Sequence, residues 1–364
     1  MTDLRERYVE QIRQSGAPLP AGLADAFAAV PREAFVAGGF QRRDGRWVDP
    51  GEPDFLDTVY TDDVLVTKVD AGMPVSSSSQ PSLMAIMIAA LDVRPGFRIL
   101  EIGTGTGYNA ALLAHLGARV TTVDVQADVV DRARAALARS GTTGVRVVHG
   151  DGYAGMPGSR FDRVIVTVGV AGVSPRWLEQ LDSADVAVVP VAHAGTHPVL
   201  AVRGAADGPV TATVVCPAGF MSAAGPLTAG HPYAHPAPAP AGSLPEFAPV
   251  AAARWEPPLS TVPYRDLWHA AGVWHLRATH ASLGPDQSCL ALLDAERAGG
   301  ALILPDGAVL AAGREAQRYA ADAVAIVDRW ESAGRPPVQA WYAGLARAGR
   351  PDAPIWVPAQ WWLA

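Results

Sequence analysis

The chain is almost free of lysine: Lys68 is the only one among 29 basic residues, and the rest are arginine. Acidic residues number 36, for a net charge of −7, and that sign opposes non-specific binding to nucleic acid, whose affinity comes from neutralising phosphates. Cysteine is as scarce. Cys216 and Cys289 are the two present, and they form neither a disulfide framework nor a cysteine-based metal or redox motif. His269, His275 and His280 make no standard zinc spacing with Cys289. No apolar run approaches the ~20 residues a membrane helix needs. The charged start (Asp3, Arg5, Glu6, Arg7) is unlike a signal peptide. Together these absences predict a cytoplasmic protein with no resident metal that binds neither nucleic acid nor membrane.

What is there is apolar material for a real core, 49% of the residues, in a 364-residue chain long enough for two domains. Arg5–Phe27 reads as a helical entry segment. From Phe97 onward strand-like and helix-like runs alternate: FRILEIG, a helix from Tyr108 to Leu116, ARVTTVDV, a helix ending at Gly141, VRVVHGDG, FDRVIVTVGV, the short helix SPRWLEQL and ADVAVVPVAH. Such alternation predicts a doubly wound α/β sheet covered on both faces. HPVLAVRG and VTATVVCP read as an antiparallel hairpin at its edge. Residues 1–230 are thus expected to form the first domain. A proline-rich stretch over 231–260 reads as an extended linker. Residues 261–364 read as a smaller, tryptophan-rich α+β domain, because eight of the ten tryptophans lie at or after Trp255. Within it, strands flank an Asp306-Gly307 turn and a helix follows over 314–334.

LEIGTGTGYNAALLAHL, Leu100–Leu116, is the most informative stretch. A strand runs into Gly103, Thr104, Gly105 and Gly107 and reopens as a helix at Tyr108, so the backbone can pass close to a ligand that meets free N–H groups. The same residues satisfy a dinucleotide pattern, G-x-G-x-x-A. Two further features favour S-adenosylmethionine. Glu101 puts a carboxylate where a cationic amino acid portion would sit, and Asp151-Gly152 ends the third strand, where an adenine amino group needs an acceptor. Asp124, followed by Val125, ends the second strand and suits ribose hydroxyls.

Before this loop stands VSSSSQPSLM, Val75–Met84, in which four serines lead into a proline suited to a first helical position. Serines compete for backbone hydrogen bonds and are poor helix formers, so the run reads as a hydroxyl-rich lead into the positive end of a helix.

The ordered set VPREAFV, VY near residue 60, SSQP at 78–81, VRPGFRILEIGTGTGYNAALLAHL, HGDGY, FDRVIVTV and PRWLEQL resembles the protein-L-isoaspartate O-methyltransferases, over about residues 25–205. The resemblance implies a class I, Rossmann-like methyltransferase domain that binds S-adenosylmethionine through the glycine loop, Asp124 and Asp151-Gly152. It places Ser79 as the active-site serine, touching substrate and cofactor, with Ser78, Gln80 and Val168 on the substrate side. Three departures stand out: Ser78 replaces the usual isoleucine, VTKVDAGMPVS replaces a glycine-rich approach, and Thr167-Val168-Gly169 replaces Thr-Ala-Ala.

In length the chain is similar to C-terminally extended relatives that accompany ATP-grasp macrocyclases. That likeness implies a methyl ester on an aspartate of a cyclised ribosomal peptide, the partner expected here, followed by aspartimide closure. The alternative is repair of isoaspartate in damaged proteins. Either substrate offers a carboxylate already ionised at neutral pH, which needs no general base. A nicotinamide oxidoreductase is disfavoured by Glu101 and Asp151-Gly152, and a non-catalytic carrier by the intact serine motif.

Overall fold

The computed structural model describes residues 2–364 except 205–207, 241 and 285–286. Nine strands form the main sheet, in the order Ala353–Leu363, Trp341–Arg350, Val210–Cys216, Val199–Arg203, Leu181–Pro190, Phe161–Val166, Arg98–Ile102, Arg119–Asp124, Val145–His149. The last five in that order pair in parallel and the others antiparallel. Strand order reverses beside Arg98–Ile102, so the crevice at the carboxyl ends of the parallel strands opens at the glycine loop, the usual ligand position in such sheets. The doubly wound α/β expectation holds.

Helices Thr2–Gln14, Ala21–Ala29, Pro81–Leu91 and Tyr108–His115 build one apolar layer on the sheet. The entry segment is two helices, not one, because Gly16, Pro18 and Pro20 interrupt it. Pro81 is indeed a first-turn residue, and Met84, Ala85, Met87, Ile88 and Leu91 bury the inward face of its helix.

The domain partition is corrected at the end of the chain. Trp341–Arg350 pairs with Val210–Cys216, with Thr211 opposite Gly344, so the final hairpin extends the main sheet instead of closing a second domain. The 199–216 hairpin is therefore interior, not an edge. What remains is a five-stranded antiparallel sheet (Ala248–Ala251, Val309–Ala312, Gly300–Ile303, Gln287–Leu293, Ala278–Gly284) with helices Thr261–Trp274 and Ala316–Ser332. Its strands do turn at Asp306-Gly307. Its core residues Leu267, Leu292, Ile303 and Trp330 are continuous with Leu100, Val164 and Trp177 of the main sheet.

The proline-rich stretch is correspondingly no free tether. Ala248–Ala251 is a strand of the small sheet, the Ala239 N–H donates to the His280 carbonyl, and the Arg254 and Trp255 N–H groups both reach the Asp306 carbonyl. Most tryptophans pack: Trp177 and Trp330 are fully buried, whereas Trp362 keeps 43% of its surface exposed. Among the described residues no helix is long and apolar enough to cross a membrane.

Candidate active site

The glycine loop, the serine segment and the sheet's carboxyl edge enclose one cavity of ≈ 1710 Å³. Each glycine of the loop has a left-handed backbone, and two positions on the floor exclude a side chain outright. A Cβ on Gly103 would lie 2.8 Å from the Thr167 hydroxyl, and one on Gly152 would lie 2.7 Å from Ile102.

Glu101 is fully buried below the loop, its Oε1 accepting from Asn109 Nδ2 at 2.6 Å. Glu101 Oε2 and Asn109 Oδ1 have no partner, and both residues border the cavity. Burial pushes the Glu101 carboxyl up to about 7, against hydrogen bonds from Thr122 and Asn109 that favour its ionised form. Two orphaned buried acceptors with no donor between them are what an ammonium group requires, so the residues fit the amino acid end of S-adenosylmethionine.

Asp124 accepts from the Gly105 N–H at 3.1 Å and the Gln126 N–H at 3.0 Å, so it shapes the loop besides facing the cavity. Asp151 caps the short helix Gly152–Ala154 through the Tyr153 N–H. Val125, 53% exposed, lies at the mouth, and Val168 packs against Gly103. Thr104 and Tyr108 also border the cavity, while their side-chain oxygens have partners inside the protein. The Thr104 hydroxyl is held by that of Thr122 at 2.8 Å, and the Tyr108 phenol meets Tyr8 in the core, where burial pushes its pKa well up.

The serine run is a strand, Met73–Ser78, paired with Leu65–Asp70 rather than a loose lead-in. Ser76, Ser77 and Ser79 border the cavity; Ser78, expected on the substrate side, does not, and is buried with its hydroxyl near Arg32 Nε at 3.4 Å. Gln80 reaches the cavity but is tied to Asp62 and Ser82. The helix start is also less electropositive than the sequence implied, because Asp62 Oδ1 already accepts from the Ser82 N–H at 2.7 Å.

Three residues were missed in the sequence. Asn109 and Asp62 are described above. Arg32, inside VPREAFV, is fully buried and donates to the carbonyls of Val59, Thr61, Asp63 and Ser79, fixing the backbone that carries the serine. Arg32→Lys cannot keep this planar set of bonds and is expected to lower stability by about 2 kcal/mol in chemical denaturation. It should also raise KM less than it lowers kcat, because the acceptor's holder shifts while the cofactor pocket stays.

The hairpin bearing the serines is clasped over the cofactor edge. Lys68 Nζ donates to Gln126 Oε1 and Asp128 Oδ1, both at 2.8 Å, and Gln126 Nε2 donates to the Val75 carbonyl. The Ser77 carbonyl lies close enough to Gly105 that a Cβ there would meet it at 3.2 Å.

Comparison with known proteins agrees with this geometry. The family model for protein-L-isoaspartate(D-aspartate) O-methyltransferase matches residues 3–226. A protein-L-isoaspartate O-methyltransferase of Methanoculleus marisnigri is 38% identical over 192 residues, 51% of this chain and 76% of that protein. One from Gloeobacter violaceus is 33% identical over 230 residues, 62% of this chain and 98% of that protein. A solved protein-L-isoaspartate O-methyltransferase shares the fold along 98% of this chain and 99% of its own, with TM-score 0.55 at 24% identity. The chain belongs to the protein-L-isoaspartate O-methyltransferase family, carboxyl methyltransferases that draw their methyl group from S-adenosylmethionine.

Proposed function

We propose that the protein methyl-esterifies the free α-carboxylate of isoaspartyl residues in peptides or proteins. The observation that carries this reading is that one cavity is bordered both by Glu101 and Asn109, with their orphaned acceptors, and by Ser79. When bound, S-adenosylmethionine supplies an electrophilic methyl on a sulfonium that leaves as a neutral thioether. A carboxylate oxygen forms the new O–C bond as the C–S bond breaks, and no proton moves.

The chain's own task is therefore alignment. Glu101 and Asn109 anchor the amino acid end, Asp124 and Asp151 offer acceptors to ribose and adenine, and Ser79 orients the acceptor carboxylate. A hydroxyl withdraws less charge from that carboxylate than an arginine would, which keeps it nucleophilic.

A second reading is methylation of an aspartate in an ATP-grasp-cyclised peptide, with aspartimide to follow. Length alone does not support it, since the solved relative matches this chain end to end. What favours it is that the cavity is also bordered by His231, His235 and Arg265 from beyond the glycine-loop half of the chain, more lining than one residue needs. Mass spectrometry after incubation with an isoaspartyl peptide, its aspartyl isomer and a macrocyclised aspartyl peptide tests the choice. Methylation of the isoaspartyl form alone supports repair; methylation of the cyclised aspartyl form alone overturns it.

A further inference from the structure

The cavity is also bordered by an exposed arginine, Arg265, whose guanidinium has no ion-pair partner among the described residues. Three cationic side chains border the cavity among the described residues: Arg42, Arg43 and Arg265. Arg42 faces Asp44 at 3.7 Å and Arg43 faces Asp63 at 2.6 Å. Arg265 makes no hydrogen bond, ion pair or ring contact among the described residues, in a chain that carries seven more negative than positive charges. It stands on the second turn of helix Thr261–Trp274, while its neighbours Tyr264 and Asp266 are buried and bonded, Tyr264 to the Ile303 carbonyl and Asp266 to the Val338 N–H.

The other basic groups of the cavity are no substitute. His193, His197, His231 and His235 border the same cavity, and burial holds all four imidazoles toward the neutral form. His231 adds a second unfilled polar atom, since its Nδ1 is buried without a partner. The other arginines of this unit that resemble Arg265 in sequence are committed: Arg254 to Asp328 and Glu331, Arg277 to the Leu293 carbonyl.

Resting on the proposed peptide carboxyl methylation, we propose that Arg265 is a specificity-determining residue that binds a second carboxylate of the peptide, remote from the one that is methylated. A guanidinium takes a carboxylate through two parallel N–H bonds, and the neutral histidines bordering the cavity add no competing charge, with the N–H groups of His193 and His235 already given to the carbonyls of His269 and Gly272. The second carboxylate is either an acidic side chain or the peptide's C-terminus. In both cases the unit after residue 260 selects the substrate and the loop before residue 110 transforms it.

The test uses the full chain loaded with S-adenosylhomocysteine and a series of isoaspartyl peptides in calorimetry. One peptide is neutral and C-terminally amidated, others carry a single glutamate walked along the sequence, and one has a free C-terminus. One placement is expected to bind about tenfold tighter than the neutral peptide. Arg265→Ala should abolish that gain, Arg265→Glu should turn it into a penalty, and Arg265→Lys should restore part of it. A gain that appears with the free C-terminus alone identifies the terminal carboxylate as the source. Equal affinity across the series, or a gain that survives Arg265→Ala, overturns the subsite. Methyl transfer on the same peptides judges the underlying reading separately: peptides that show the Arg265-dependent gain yet are never methylated would sink the isoaspartyl assignment and leave the subsite standing.

Discussion

Glu101→Gln should weaken S-adenosylmethionine binding by roughly thirty- to a hundredfold in calorimetry, about 2–3 kcal/mol, while the protein stays folded. Glutamine keeps the shape and can still accept from Asn109, but it presents an amide donor where the wild type presents an unpartnered carboxylate oxygen. A cofactor ammonium then meets a donor instead of an acceptor. The wild type should also show a pH signature that the variant lacks. With its carboxyl raised to about 7 by burial, free Glu101 is protonated in mild acid and must lose that proton to receive a cation. Affinity should thus fall about tenfold per unit as pH drops below 7, with proton release on binding.

The same group has a stability consequence of the opposite slope. Its folded pKa exceeds its ordinary 4.5, so the folded state binds the proton more tightly than the unfolded one. Its contribution to the ligand-free protein is most favourable below pH 4.5 and declines as pH rises through 7, by about 3 kcal/mol in all. In thermal melts from pH 5 to 8 the decline should appear in the difference between wild type and Glu101→Gln, since the buried histidines, whose lowered pKa values act with the opposite slope, contribute alike to both proteins. Equal affinities and equal pH slopes for the two proteins would mean that the ammonium sits elsewhere.

Ser79→Ala should lower kcat by about ten- to a hundredfold with little change in cofactor affinity, the range expected when one preorganised hydroxyl is removed from a reacting group. Ser79 follows directly on the strand Met73–Ser78, and Arg32 holds its carbonyl. Ser78→Ala is the informative companion. Its hydroxyl faces the buried guanidinium, so its loss should appear in the melting temperature rather than in kcat. Ser77, earlier in the same run, borders the cavity as well and should matter less than Ser79. If Ser78→Ala were the variant that lost turnover and Ser79→Ala were silent, the serine assigned to the substrate would be wrong.

The glycine loop could be read from the chain because its requirements are local. A strand, three glycines and a helix start lie within a dozen residues, and each choice follows from backbone geometry and capping. Glu101 was legible for the same reason, but its partner Asn109 reads like any residue of an amphipathic helix until the helix is laid back on the strand. Arg32 and Asp62 escaped because their contacts span 18 to 47 residues of sequence, so nothing near them signals burial or capping. The final hairpin was misplaced for a related reason. Alternating apolar and polar residues say that a segment is a strand but not which strand it will join, and Trp341–Arg350 pairs with a neighbour more than a hundred residues earlier.

The clasp of Lys68 onto Gln126 and Asp128 has a practical corollary, since no other lysine exists in the chain. Amine-directed reagents, the α-amino group aside, have one address, and it fastens the serine hairpin to the edge of the cofactor pocket. A reporter coupled there would read the opening of that hairpin free of background from any other side chain. Conversely, a culture or storage condition that carbamylates or glycates amines would remove the clasp's charge in every molecule it touches. Such a preparation would lose hairpin closure while its fold, built by arginines and apolar packing, stayed intact.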